Sequence, residues 1–152
     1  MAGISLGEGL APETLLAAAG KAPAVKLGRE ARFRMKASRA IVDRLAAGKD
    51  AVYGVNTGFG ALARTRIAPD KVHSLQRNLL LSHAVGTGPD LPAVEKRLAL
   101  LLKMEALAKG SSGVRIGVVE WLMKLYRSGW LPRVPAQGSV GASGDLAPLA
   151  HL

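Results

Sequence analysis

The segment 91–108, LPAVEKRLALLLKMEALA, constrains the fold more than any other stretch of the chain. Pro92 suits a first helical turn and Gly110 lies just past the end, while Val94, Leu98, Leu101, Leu102 and Met104 recur between them at helical spacing. The leucines are nearly continuous. A helix so apolar is expected to be covered on more than one side.

Other segments read as helices too. Residues 29–47 carry Ala31, Met35, Val42 and Leu45 on one face and many cations on the other, with Gly48 beyond the end. Residues 69–85 begin at Pro69 and place Val72, Leu75, Leu79 and Ser82 on one stripe before Gly86. After the break Ser111-Ser112-Gly113, residues 114–127 resume a helix stopped by Gly129, with Trp121 and Leu125 expected in the core and Arg115 at its start on the surface. A shorter helix is expected over 12–19, after an extended start, with Gly20 as its stop. Prolines at 132 and 135 favour an extended path through Trp130-Leu131-Pro132-Arg133-Val134-Pro135. No long alternating strand, repeat, low-complexity tract or linker stands out. The expected fold is mainly α, a single domain over 1–152 with short extended segments and Gly-rich loops.

Composition limits the function. Of 152 residues, 49% are hydrophobic and 21% charged, which argues against disorder, and the 4% aromatic content means a core built from Leu, Val, Ala and Met. Cysteine is absent, so disulfides and thiolate metal sites are excluded, and a reducing compartment fits. The opening residues lack a signal-peptide pattern and no segment reaches bilayer-spanning length, so a soluble, cytoplasmic protein without a membrane partner is expected. A net charge of +10, from 21 Lys and Arg against 11 Asp and Glu, raises nucleic acid as a partner. The cations are instead dispersed over several helices without interleaved aromatics, which points to a solvated surface or one meeting an acidic partner.

Chemistry concentrates in loops. The stretch 137–149, QGSVGASGDLAPL, is small, glycine-punctuated and runs into an apolar segment that opens a helix near Asp145. Ala142-Ser143-Gly144 has the residue types for backbone cyclisation: the Gly144 nitrogen attacks the Ala142 carbonyl carbon, water leaves, and a second elimination at Ser143 leaves an exocyclic methylene. Gly144 and Ala142 keep both reacting groups uncrowded. Asp145 would stand where free helix N–H groups and the dipole favour negative charge, as developing oxyanions require. For the tripeptide alone, a turn with Asp145 as N-cap explains the residues as well.

In residues 51–60, AVYGVNTGFG, three glycines (Gly54, Gly58 and Gly60) break any helix, and no phosphate-loop pattern is present. Tyr53 read alone is a packed aromatic. His83 read alone is a helix-end histidine favoured by the dipole.

The string GSVGASGDLAPLAHL closely resembles the prosthetic-group loop of the aromatic amino acid ammonia-lyases, which carry 4-methylideneimidazole-5-one made from an internal Ala-Ser-Gly. YGVNTGFG resembles that family's mobile inner loop, and LQRNLLLSHAVGTG its selectivity segment. The resemblance implies that Ala142, Ser143 and Gly144 form the electrophile without external cofactor or metal, Tyr53 acts as acid or base, Gly60 and Asp145 support the loops, and His83 holds the substrate ring. A histidine after serine is typical of members taking polar substrates, which implies loss of ammonia from L-histidine to give trans-urocanate. Tyrosine or phenylalanine lyase or aminomutase activity is the alternative, and a non-catalytic interaction module a second. The resemblance covers only the N-terminal part of a longer family chain whose sites are assembled in a homotetramer. The central bundle, with its carboxylate-binding arginine, is expected to be missing, so this chain alone is expected to be catalytically incompetent and Ser143 can remain uncyclised.

Overall fold

A computed structural model of the chain describes residues 3–140 and 144–152, so Ala142 and Ser143 lie outside the described residues. Strand β1 (Ile4–Leu6) runs parallel to β2 (Val25–Leu27), and α1 (Pro12–Gly20) lies in the crossover that a parallel pair requires. Ile4, Leu6, Val25 and Leu27 are buried while Lys26 is exposed, the period-two pattern of strands covered on one face. Then follow α2 (Arg29–Ala47), a short 3₁₀ turn (Gly60–Leu62) and α3 (Pro69–His83). Strand β3 (Thr87–Asp90) precedes α4 (Ala93–Ala108) and α5 (Ile116–Ser128); β4 (Pro135–Gln137) and α6 (Leu146–His151) complete the order.

Helix α4 is the hub, packed against α1, α2, α5 and β1. Leu100, Leu101, Met104 and Ala108 are fully buried there, as a helix covered on several sides requires. The cover is incomplete, because Val94 and Leu102 remain 42% and 47% exposed, against expectation. Two charged side chains of α4 are buried instead. Glu105 accepts the Gly7 and Gly9 N–H groups at 2.7 and 2.8 Å and so closes the N-terminal loop onto the hub. Lys96 reaches Asp90, whose other oxygen accepts the Val134 N–H at 2.8 Å.

In α5 the buried line is Val119, Met123 and Tyr126, spaced by four and three. Trp121 stands two residues off that line, some 200° around the helix, and is 60% exposed rather than in the core. Helix α2 has its predicted bounds, but only Ala31 and Met35 are buried; its second half runs past the core, leaving Val42 half-buried and Leu45 exposed. Gly110 stops α4 with φ +81°, and a Cβ there would stand 2.6 Å from the Arg34 Cβ, so the turn requires glycine twice over. Helix α3 has no fully buried residue; Val72, Leu75, Leu79 and His83 are its half-buried stripe, and Ser82 is exposed. It packs against α6.

Strands β3 and β4 pair antiparallel, Thr87 opposite Gln137 and Asp90 opposite Pro135, with an irregular register between. Asp90 locks this pair to α4. The Lys96 ammonium, then the Val134 N–H, hold its carboxyl below the usual carboxylate range. A depressed folded value means stability present above the unfolded pKa of about 3.9 and lost as pH falls through the lower folded value. Asp90→Asn should therefore destabilise the chain at neutral pH, with the gap to wild type closing as pH falls below about 3.9 in urea unfolding series.

Among the described residues, no helix is long and apolar enough to cross a membrane, and no three His, Asp or Glu side chains cluster as a metal site.

Candidate functional site

Helix α3 ends in a turn that presents His83. The Ala84 N–H still bonds to the Leu80 carbonyl at 2.9 Å, and the Val85 N–H turns back to the His83 carbonyl at 2.8 Å. His83 Nδ1 lies 2.8 Å from the Leu79 carbonyl and 3.0 Å from Ser82 Oγ. A carbonyl only accepts, so Nδ1 carries a proton, and in the neutral ring Nε2 is left as an acceptor. His83 is half-buried and, with Ser82 and Val85, lines a cleft of about 210 Å³.

The other lining of that cleft comes from the flanks of the Ala-Ser-Gly triplet: Gly138, Val140 and Gly144, with Leu146 and Ala147 of α6. Val140 and Gly144 form an isolated antiparallel bridge, which brings the chain entering the triplet alongside the chain leaving it. Ser139 Oγ donates to Asp145 Oδ1 at 2.7 Å across the same gap. Asp145 occupies the N-cap position of α6 without capping it; the side chain joins the two flanks instead. Gly144 has φ +80°, a conformation L side chains rarely adopt, and, among the described residues, open space where a Cβ would lie. A nitrogen approaching the carbonyl two residues earlier needs such an uncrowded residue, so the described part of the loop fits a ring built on 142–144.

Tyr53 is placed differently. It is 62% exposed, packs edge-on against Phe59 with ring centroids 5.5 Å apart, and does not line the cleft. Its loop is nonetheless anchored. Asn56, which the sequence does not single out, is buried; its side chain accepts the Val52 N–H at 2.8 Å and donates to the Asp50 carbonyl at 3.0 Å. Thr57 is buried beside it and bridges to Arg66. Gly54 and Gly60, at φ +74° and +58° with open space around them, set the turns on either side of that anchor.

The structure therefore joins the His83 segment to the loop around Gly144 and Asp145, and leaves Tyr53 and Gly60 on a separate, exposed loop. The family model for aromatic amino acid lyases matches residues 10–152. The chain belongs to that family.

Among its relatives, histidine ammonia-lyase from Myxococcus xanthus is 50% identical over 146 residues, which is 96% of this chain and 29% of the relative. Histidine ammonia-lyase from Paracidovorax citrulli is 58% identical over 118 residues, 78% of this chain and 23% of the relative. The solved histidine ammonia-lyase of Trypanosoma cruzi superposes with TM-score 0.88 at 37% identity, over all of this chain and 29% of that one. The ergothioneine-degrading ergothionase of Treponema denticola gives 0.92 at 30% identity, over 99% of this chain and 30% of that one. The chain thus spans less than a third of the length of these proteins. The mainly helical architecture is the lyase family's own.

Proposed function

We propose that this chain is the N-terminal portion of a histidine-deaminating lyase, active only with the remainder of such a subunit. The reaction is L-histidine to trans-urocanate and ammonia. The observation that carries the reading is the cleft that His83 shares with both flanks of the triplet. The histidine ammonia-lyases among the relatives support it; the similar fold of ergothionase does not choose a substrate, so the choice rests on His83.

Ala142, Ser143 and Gly144 are the precursor of 4-methylideneimidazole-5-one, which supplies an electrophilic methylene and replaces any external cofactor. Nε2 of His83, freed as acceptor by the Nδ1 contact to Leu79, takes the N–H of the substrate imidazole and sets the amino acid in the cleft. Tyr53 holds or moves the proton at the substrate β carbon. Its exposed position means that the loop 51–60 must carry it over the cleft, or the remainder of the subunit must press it there. Asp145, through Ser139, keeps the two flanks of the triplet aligned. Cytoplasmic location and a homotetramer complete the proposal, with neither nucleic acid nor membrane as partner.

Intact mass tests the electrophile: a deficit of two waters mapped to 142–144 is expected once the chain is assembled with a supplied C-terminal portion. Urocanate release by the same assembly tests the substrate, and release of cinnamate or coumarate instead would defeat it. His83→Leu should raise KM for histidine by about 10- to 100-fold, the loss of one buried hydrogen bond to an unpaired partner, and leave the mass deficit intact.

A further inference from the structure

His151 has no place in the reaction proposed above, yet it joins the two halves of the cleft. Its Nε2 lies 3.0 Å from the Gly86 nitrogen and accepts that N–H across a separation of 65 residues. Gly86 belongs to the segment that leaves α3 just after His83, and His151 to the helix that leaves the triplet.

The same glycine is approached from three sides. A Cβ on Gly86 would lie 3.1 Å from His151 Nε2, 3.1 Å from Pro135 Cβ and 3.2 Å from the Gln137 carbonyl oxygen. A Cβ on Gly138 would lie 3.1 Å from Gly86 Cα and 3.2 Å from Ala147 Cβ. The exit of α3, the strand entering the loop and the helix leaving it therefore cross in van der Waals contact at one point. Contacts of this kind fix separation but not rotation or sliding. A directional bond does, and His151 supplies it. A histidine present merely to complement the last turn of α6 would need neither this partner nor the half-burial it shows.

We infer that His151 is a positioning residue: by accepting the Gly86 N–H it sets His83 relative to the loop that carries residues 142–144. This rests on the reading that His83 receives the substrate ring. The ring of His151 acts through its neutral form, since Nε2 must be free of a proton to accept.

The test compares His151→Leu, which keeps bulk and loses the acceptor, with His151→Gln, whose amide oxygen restores one; Gly86→Ala displaces the ring while keeping it. In the leucine and Gly86 variants, amide exchange at Gly86 and Val85 should accelerate by about tenfold, the scale of one hydrogen bond, while amides of α4 keep their protection. The ring nitrogen resonances of His83 should shift in both, and return in the glutamine variant. In the assembled lyase, KM for histidine should rise about tenfold in the leucine variant with kcat changed less, and glutamine should restore it. Unchanged exchange at Gly86, or faster exchange there with His83 resonances unmoved, would overturn the inference. An assembly with neither a two-water deficit nor turnover would sink the proposed reaction, while exchange and resonances would still decide the role of His151.

Discussion

Replacing Ser143 with alanine is expected to remove the two-water mass deficit and to lower histidine deamination by the assembled lyase more than about 10³-fold, the scale on which loss of a catalytic unit is felt. The reason is stoichiometric. The first water comes from closure of Gly144 nitrogen on the Ala142 carbonyl; the second is the Ser143 hydroxyl leaving with its α proton, and alanine has no group to expel. The ring can close in Ser143→Ala, but the methylene cannot form, so a deficit of at most one water is expected. Gly144→Ala reaches the same end by another route. Its φ of +80° strains an L residue by roughly 1–2 kcal/mol, and the added Cβ stands beside the attacking nitrogen, although the surrounding space is open. Both waters should then stay, with helix content unchanged because Gly144 lies outside the core. Mapping of intact and digested masses, alongside urocanate absorbance, separates these outcomes. Full turnover in Ser143→Ala would end the reading of the loop as an electrophile.

Helices were legible in this sequence because proline and glycine punctuate them and apolar spacing fills the intervals. The helix expected over 29–47 is found at those residues; the one expected over 69–85 ends two residues earlier, and the one expected over 114–127 begins two residues later and ends one later. The strands were less so. Thr87-Gly88-Pro89-Asp90 is exposed at every position and holds a glycine and a proline, so no alternation marks it; only pairing with residues 135–137 makes it a strand. Periodicity also fails to say which side of an apolar helix is covered, which is why Trp121, Val94 and Leu102, expected in the interior, stand exposed. In the site, the structure brings His83 and Gly144, both named from motif resemblance, to one cleft, and Ser139 ties Asp145 to the same loop. Motif resemblance could not give the exposed position of Tyr53, nor mark His151, whose partner Gly86 is set by tertiary contact rather than by spacing.

Leu101→Ala and Leu102→Ala, neighbours in one leucine run, are expected to differ by several kcal/mol. Leu101 is fully buried where α4 meets the surrounding helices, so truncation removes its transfer free energy and leaves a cavity that only partial relaxation can fill, about 2–5 kcal/mol. Leu102 keeps nearly half its surface in water and loses about 1 kcal/mol or less on truncation, while alanine recovers a little through its helix propensity. At about 2–4 °C per kcal/mol for a chain of this size, Leu101→Ala should lower Tm by roughly 5–15 °C and Leu102→Ala by a few degrees at most. Urea unfolding with a constant m-value would confirm that the native state, not the denatured one, carries the difference. Equal losses at the two positions would mean that the exposed side of α4 is covered in solution. Because the sequence alone offers both leucines on equal terms, the asymmetry is a direct measure of what tertiary packing adds to periodicity: α1, α2, α5 and β1 enclose one side of the hub and leave the other open.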